Sequence, residues 1–84
     1  KKIIFYFNYM KKKITWNLSG MEVEIIAKHH LTHLTDYAER NDIVFLEKGF
    51  DLLTDFTAIT FIIVEEKFVD IIKNHLNPTQ IIDL

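Results

Sequence analysis

Cysteine is absent from the 84 residues, which removes disulfide scaffolds, thiolate zinc sites and cysteine nucleophiles from consideration. A reducing compartment is thereby permitted, and the cytoplasm is the expected location. Glycine occurs twice and proline once. Gly20 and Gly49 are isolated, so no glycine-rich phosphate loop can be drawn. Ser19 is the only serine, and its spacing suits a helix cap rather than a nucleophile, so no catalytic triad is in view. No apolar run approaches the ~20 residues of a membrane-spanning helix. Ile3 to Phe7, although it follows two lysines, is too short for a signal-peptide core and lacks small cleavage residues. None of the acidic residues falls in a spacing that defines an acid/base pair. Catalysis is therefore not expected, and no cofactor is.

What is present is a folding composition: 49% hydrophobic and 13% aromatic residues lie outside the disordered regime. At this length the chain is one domain with a small core, and burial against a second copy or a partner would add to its stability. Charge is unevenly placed. Five lysines (Lys1, Lys2, Lys11, Lys12, Lys13) precede Ile14, and from Ile14 onward five basic residues face twelve acidic ones, net −7. An acidic body disfavours phosphate-rich partners, and the lysine cluster reads as a solvated terminus.

Along the chain, Ile14, Trp16 and Leu18 alternate with Thr15 and Asn17, a strand pattern. Read as one strand, residues 3–18 would span ~53 Å at ~3.3 Å per residue, more than the ~30 Å diameter of so small a domain. Residues 1–9 are therefore set apart as an extra strand, an arm or a segment foreign to the domain, and residues 10–84 as the domain. Ser19 followed by Glu22 predicts a capping box, with Leu18 and Val23 stapled across it. The helix that follows has an apolar stripe through Val23, Ile26 and Ala27, His30 and Leu31, Leu34, and Tyr37 and Ala38, an Asp36 to Arg40 ion pair, and Asn41 as terminator. Residues 43–48 read as a strand broken by Gly49, and residues 50–55 as a packed loop or a continuation of that strand after a bulge. Residues 56–64 are a β-branched and aromatic run that passes directly into a second helix over 65–76. That helix stops at Asn77 and Pro78, and residues 79–84 form a last strand.

The order strand, helix, strand, strand, helix, strand predicts an α+β domain of the split β-α-β, ferredoxin-like kind (βαββαβ), with two helices on one face of a four-stranded antiparallel sheet. Such a layout leaves the second face of the sheet uncovered. Directing Thr15, Asn17 and Thr60 outward sends Ile14, Trp16, Leu18, Ile59, Phe61 and Ile63 into the core and places Ala58, Ile62 and Val64 outside. The expected interface is accordingly Ala58, Thr60, Ile62, Thr15 and Asn17, an outer surface too apolar to stay wet.

Two other chemistries compete. His29 and His33 lie one helical turn apart and can converge on a transition metal, with His30 offering an alternative spacing to His33 and Asp36 or Glu22 as conceivable third ligands. The bland alternative has His30 bordering the core with His29 and His33 in solvent. RNA recognition would use aromatics on the open sheet face, but the single arginine, the acidic body and the missing Lys/Arg-Gly-Phe start in 56–64 disfavour nucleic acid. Leu18 to Met21 marks a strand-to-helix turn of the kind that binds small ligands in some regulatory domains. The sequence thus points to a small cytoplasmic binding or regulatory module that self-associates or docks a protein partner through its sheet face, with a helical histidine metal site, a small-ligand site or an RNA site as alternatives.

Overall fold

The computed structural model describes residues 10–84. The proposals made above for residues 1–9 lie outside the described residues. Strand β1 is Lys11–Ser19, helix α1 Val23–Arg40, strand β2 Glu47–Thr54 and strand β3 Thr57–Glu65. A single 3-10 turn, Glu66–Phe68, leads into helix α2, Val69–Leu76, and strand β4 is Gln80–Asp83. The strands form one open antiparallel sheet in the order β2-β3-β1-β4. The architecture is α+β with two helices, as the periodicities predict. Lys11, Lys12 and Lys13, expected as a solvated end, instead open the central strand β1. There Lys12 meets Asp83 at 2.6 Å and Glu66 at 3.6 Å.

Both helices feed one core. Ile14 and Trp16 from β1, Ile62 and Val64 from β3, Leu34, Tyr37 and Ala38 from α1, Ile72 from α2 and Ile43 from the α1–β2 connection pack together, while Val23, Ala27 and Ala58 form a smaller cluster beside it. Full burial of a side chain such as Ile62, which has no solvent exposure, is worth about 1.5–3 kcal/mol. The helices are tied down by polar contacts as well. Trp16 Nε1 donates to the Leu76 carbonyl at the end of α2 (2.9 Å), and the Tyr37 hydroxyl meets His75 Nδ1 at 2.8 Å.

The register between β1 and β3 reverses one expectation. Ile14 stands opposite Ile62, Trp16 opposite Thr60 and Leu18 opposite Ala58, and directly opposed residues share a face. Ala58, Thr60, Ile62 and Val64 are therefore the covered row of β3, all buried, and Ile59, Phe61 and Ile63 belong to the face without helices. The sequence expectation for β1 matches the structure and that for β3 is inverted. Both rows of β3 are rich in branched or aromatic residues, and the lone polar residue, Thr60, pointed the wrong way because its hydroxyl is satisfied internally by His30.

Local expectations fail where pairing or strain intervenes. Ser19 does not cap α1. It ends β1 opposite Thr57, and Gly20 N–H donates to the Phe56 carbonyl at 2.9 Å. The helix begins at Val23 after Glu22, whose backbone is left-handed (φ 54°) and whose side chain makes no capping bond. Gly49 does not break β2 but lies within it. A side chain there would come within 3.0 Å of the Phe61 ring, so the glycine makes room for an aromatic to lie across the strand. Residues 50–54 continue the strand, and the irregularity falls between Leu52 and Thr54. Asn41 ends α1 through its amide bond to the Tyr37 carbonyl at 2.8 Å, and the left-handed residue is the next one, Asp42. Among the described residues the helix surface pair is Glu24 with Lys28 at 3.1 Å, and Asp36 and Arg40 are not within ion-pair distance.

Two substitutions test the start of α1. Ser19→Ala should change unfolding free energy by less than about 0.5 kcal/mol, as for a surface position, whereas loss of a cap costs about 1. Gly20→Ala should destabilise by more than about 1 kcal/mol, because Gly20 has φ 145° and a Cβ would press on Ile26 Cδ1 at 3.0 Å. Urea denaturation of both variants measures the difference.

Candidate functional site

Helix α1 carries its three histidines in two environments. At 3.6 residues per turn, His29 and His33 stack on the side away from the sheet. Both are exposed, their Nε2 atoms are 2.8 Å apart, and the rings meet edge to face with centroids 4.3 Å apart. The expected convergence of this pair is present. A tetrahedral ion with nitrogen ligands at ~2.0–2.1 Å needs those nitrogens ~3.3 Å apart, so a small opening of the pair would admit one. A third ligand is not in place: no group of three or more His, Cys, Asp or Glu among the described residues is arranged to hold a metal. Asp36 lies with His33, Glu39 and Arg40 around one shallow depression, and Glu22 lines a different groove near the β2–β3 hairpin.

His30 turns the other way and borders the core. Its Nδ1 is 2.7 Å from Thr60 Oγ1, and its ring stands edge-on to Trp16 at 5.4 Å between centroids. Thr60 has no solvent exposure, so this contact satisfies a hydroxyl that would otherwise be buried alone at a cost of about 1–3 kcal/mol. Partial burial, with the nearby His33 adding a smaller effect in the same direction, holds the His30 imidazole below its ordinary pKa. On the far side of the core, burial pushes the Tyr37 phenol above its usual value.

The second candidate is the sheet face opposite the helices. Of the five interface residues expected from sequence, Thr15 and Asn17 lie on it, Asn17 exposed but Thr15 buried, while Ala58, Thr60 and Ile62 are in the core beneath the helices. The residues that take their place are Ile59, Phe61 and Ile63. Opposite them in register stand Asn17, Thr15 and Lys13, and Ile82 on β4 faces Lys13 from the other side. Phe61 lies at the centre, over Gly49 and with Lys13 Nζ 4.6 Å from its ring centroid. The legible signal for this row was Gly49, since a bare glycine in a strand often marks a large neighbour.

The strand-to-helix turn singled out at Leu18 to Met21 is joined to the β2–β3 hairpin by the Gly20 to Phe56 bond. Met21 projects into solvent at 77% exposure. Leu18 and Ser19 of this turn line a hollow of about 260 Å³ with Asn17, Leu53, Thr57 and Ala58, and Glu22 lines another beside the hairpin. No helix among the described residues is long and apolar enough to cross a membrane. No family model matches the chain, and neither a curated protein nor a solved structure matches it.

His30 gives a pH dependence of defined sign. Above about pH 6.5 it is neutral in both the folded and the unfolded chain. As pH falls below that value the unfolded chain takes the proton first, because the folded pKa is lowered, and stability declines until the folded value is passed. The urea midpoint of the parent should therefore drop between pH 7.5 and pH 5. That drop should shrink in His30→Gln and persist in His29→Gln.

Proposed function

We propose that this chain is a small binding module that acts through the uncovered face of its sheet, by self-association or by docking a protein partner, and that it does no chemistry of its own. The observation that supports this reading is the row Ile59, Phe61 and Ile63, three large apolar side chains on the face opposite both helices. Large apolar patches on a soluble domain are characteristic of interfaces. A second copy is the simplest occupant for so short a chain, and burial of ~800 Å² per subunit gives a stable dimer. The cytoplasm is the location we assign, on the absence of cysteine and the acidic body. We also propose the finer topological reading, a ferredoxin-like split β-α-β domain. The order β2-β3-β1-β4 with every neighbour antiparallel supports it.

A second reading rests on the His29 and His33 contact at 2.8 Å: an exposed chelating pair that holds a transition metal with ligands completed from outside the chain. Calorimetric titration with zinc should then show binding that raises the melting temperature and disappears in the double alanine variant. Zinc binding that survives the double substitution removes this reading.

The sheet-face reading is tested with two lysines placed on opposite faces of β3. Ile59→Lys should leave the circular dichroism spectrum intact and turn a dimer into a monomer by light scattering, with the new ammonium opposite Asp51 in register. Ile62→Lys should unfold the chain, since an unpaired lysine in the core carries a large desolvation cost. A parent that is monomeric at high micromolar concentration removes self-association.

A further inference from the structure

β2 is the outermost strand on its side of the sheet, paired with β3 along one edge. Among the described residues nothing pairs with its other edge, so a row of backbone N–H and C=O groups faces outward. An exposed edge of this kind is a template for another strand. What makes it selective is the seam between β2 and α1. Two hollows open along that seam, one near each end of the strand. The first, about 380 Å³, lies by the start of β2 and is lined by Ala38, Ile43, Phe45 and Leu46 together with Thr35, Glu39, Glu47 and Lys48. The second, about 400 Å³, lies by the end of β2 and is lined by Leu52 and Leu53 together with Glu22, Glu24 and Asp55. In the first, Lys48 Nζ donates to Thr35 Oγ1 on α1 at 2.7 Å, holding strand and helix together.

We propose that this edge is a docking site for an extended segment of a partner polypeptide, which adds a strand to β2 and drops side chains into the two hollows. The chemistry of the hollows specifies the segment. At the start of β2 the four apolar residues Ala38, Ile43, Phe45 and Leu46 offer contact to a leucine- or phenylalanine-sized group, beside the polar residues that share the lining. At the end of β2, Glu24 is paired with Lys28, whereas Glu22 and Asp55 have no cation within ion-pair distance among the described residues. A lysine or arginine is the complement there, its aliphatic stem against Leu52 and Leu53. The nearest β2 residues lining the two hollows, Lys48 and Leu52, are four positions apart on one face of the strand, ~13 Å. Because side chains at i and i+4 of a strand share a face, the partner carries one large apolar residue and one basic residue at that spacing. Antiparallel self-pairing of a second copy centred on Gly49 sets Glu47 opposite Asp51, and centring it on Asp51 sets that carboxylate against its own twin, both destabilising, whereas centring it on Phe50 opposes no like charges; a second copy is therefore an outcome the test separates.

The test uses the full chain and a fluorescein-labelled peptide of about nine residues that alternates threonine with larger side chains, leucine toward one end and lysine four positions away. Fluorescence anisotropy should show saturable binding. N-methylation of alternate peptide nitrogens should abolish it in one of the two phases and spare it in the other, as only one set of N–H groups faces β2. Asp55→Lys should weaken the lysine peptide on the order of tenfold and strengthen the version with glutamate in its place, while Ile59→Lys, on the uncovered sheet face, should change neither. The proposal is overturned by absence of binding up to about millimolar peptide, by equal tolerance of both N-methylation patterns, or by indifference to Asp55→Lys. It also fails if the parent is a dimer that Ile59→Lys leaves intact and that blocks the peptide, for a second copy then holds the edge. Because this experiment reads the edge of β2 and the self-association test reads Ile59, either can fail alone.

Discussion

Thr60 sits at the middle of the covered sheet face with a hydroxyl that no water can reach, and His30 on α1 is the group that satisfies it. That contact ties helix to sheet at one point, with the Trp16 ring against the imidazole from the neighbouring strand. Three elements are thus located relative to one another by a polar contact inside an otherwise apolar layer. Apolar packing alone would tolerate small slides of the helix over Ile14, Ile62 and Val64. A hydroxyl that must meet a ring nitrogen at 2.7 Å does not, and no buried polar side-chain atom among the described residues is left without a partner.

The same register that buries Thr60 exposes its neighbours. Once Trp16 is opposite Thr60, Ile59, Phe61 and Ile63 have to lie on the other side. The molecule therefore carries apolar side chains on both sheet faces with helices on only one, and this imbalance underlies the functional reading. Phe61 is partly accommodated within the chain by Gly49 beneath it and Lys13 beside it, and Ile59, Phe61 and Ile63 are all half-buried.

The histidines divide according to helical geometry. His29 and His33, four apart, share one side of α1, whereas His30, about 100° round the helix from His29, turns to the sheet, so His30 became structural while His29 and His33 stayed in solvent. The convergence of the exposed pair was legible from spacing alone, as was the bland alternative for His30. Its particular partner was not, since Thr60 is thirty residues away and the contact exists only after β3 has been inserted beside β1.

By itself the sequence determined the kinds of element and their order, because those depend on local period and on local stops: the stripe through Val23, Ala27 and Leu34, the alternation at Ile14, Trp16 and Leu18, and the end of α2 at Asn77 and Pro78. It also determined which residues of β3 share a face, since alternation is a property of any strand. Which of those two faces is covered was decided only by the tertiary structure. A period of two is unchanged by exchanging the faces, both rows of β3 are apolar enough to be core, and the one polar marker was paired out of sight. The start of α1 and the extent of β2 belong to the same class. Ser19 had the residue type of a cap and Gly49 that of a breaker, but pairing with Thr57 and packing under Phe61 outweigh local preferences that are worth only about 1 kcal/mol.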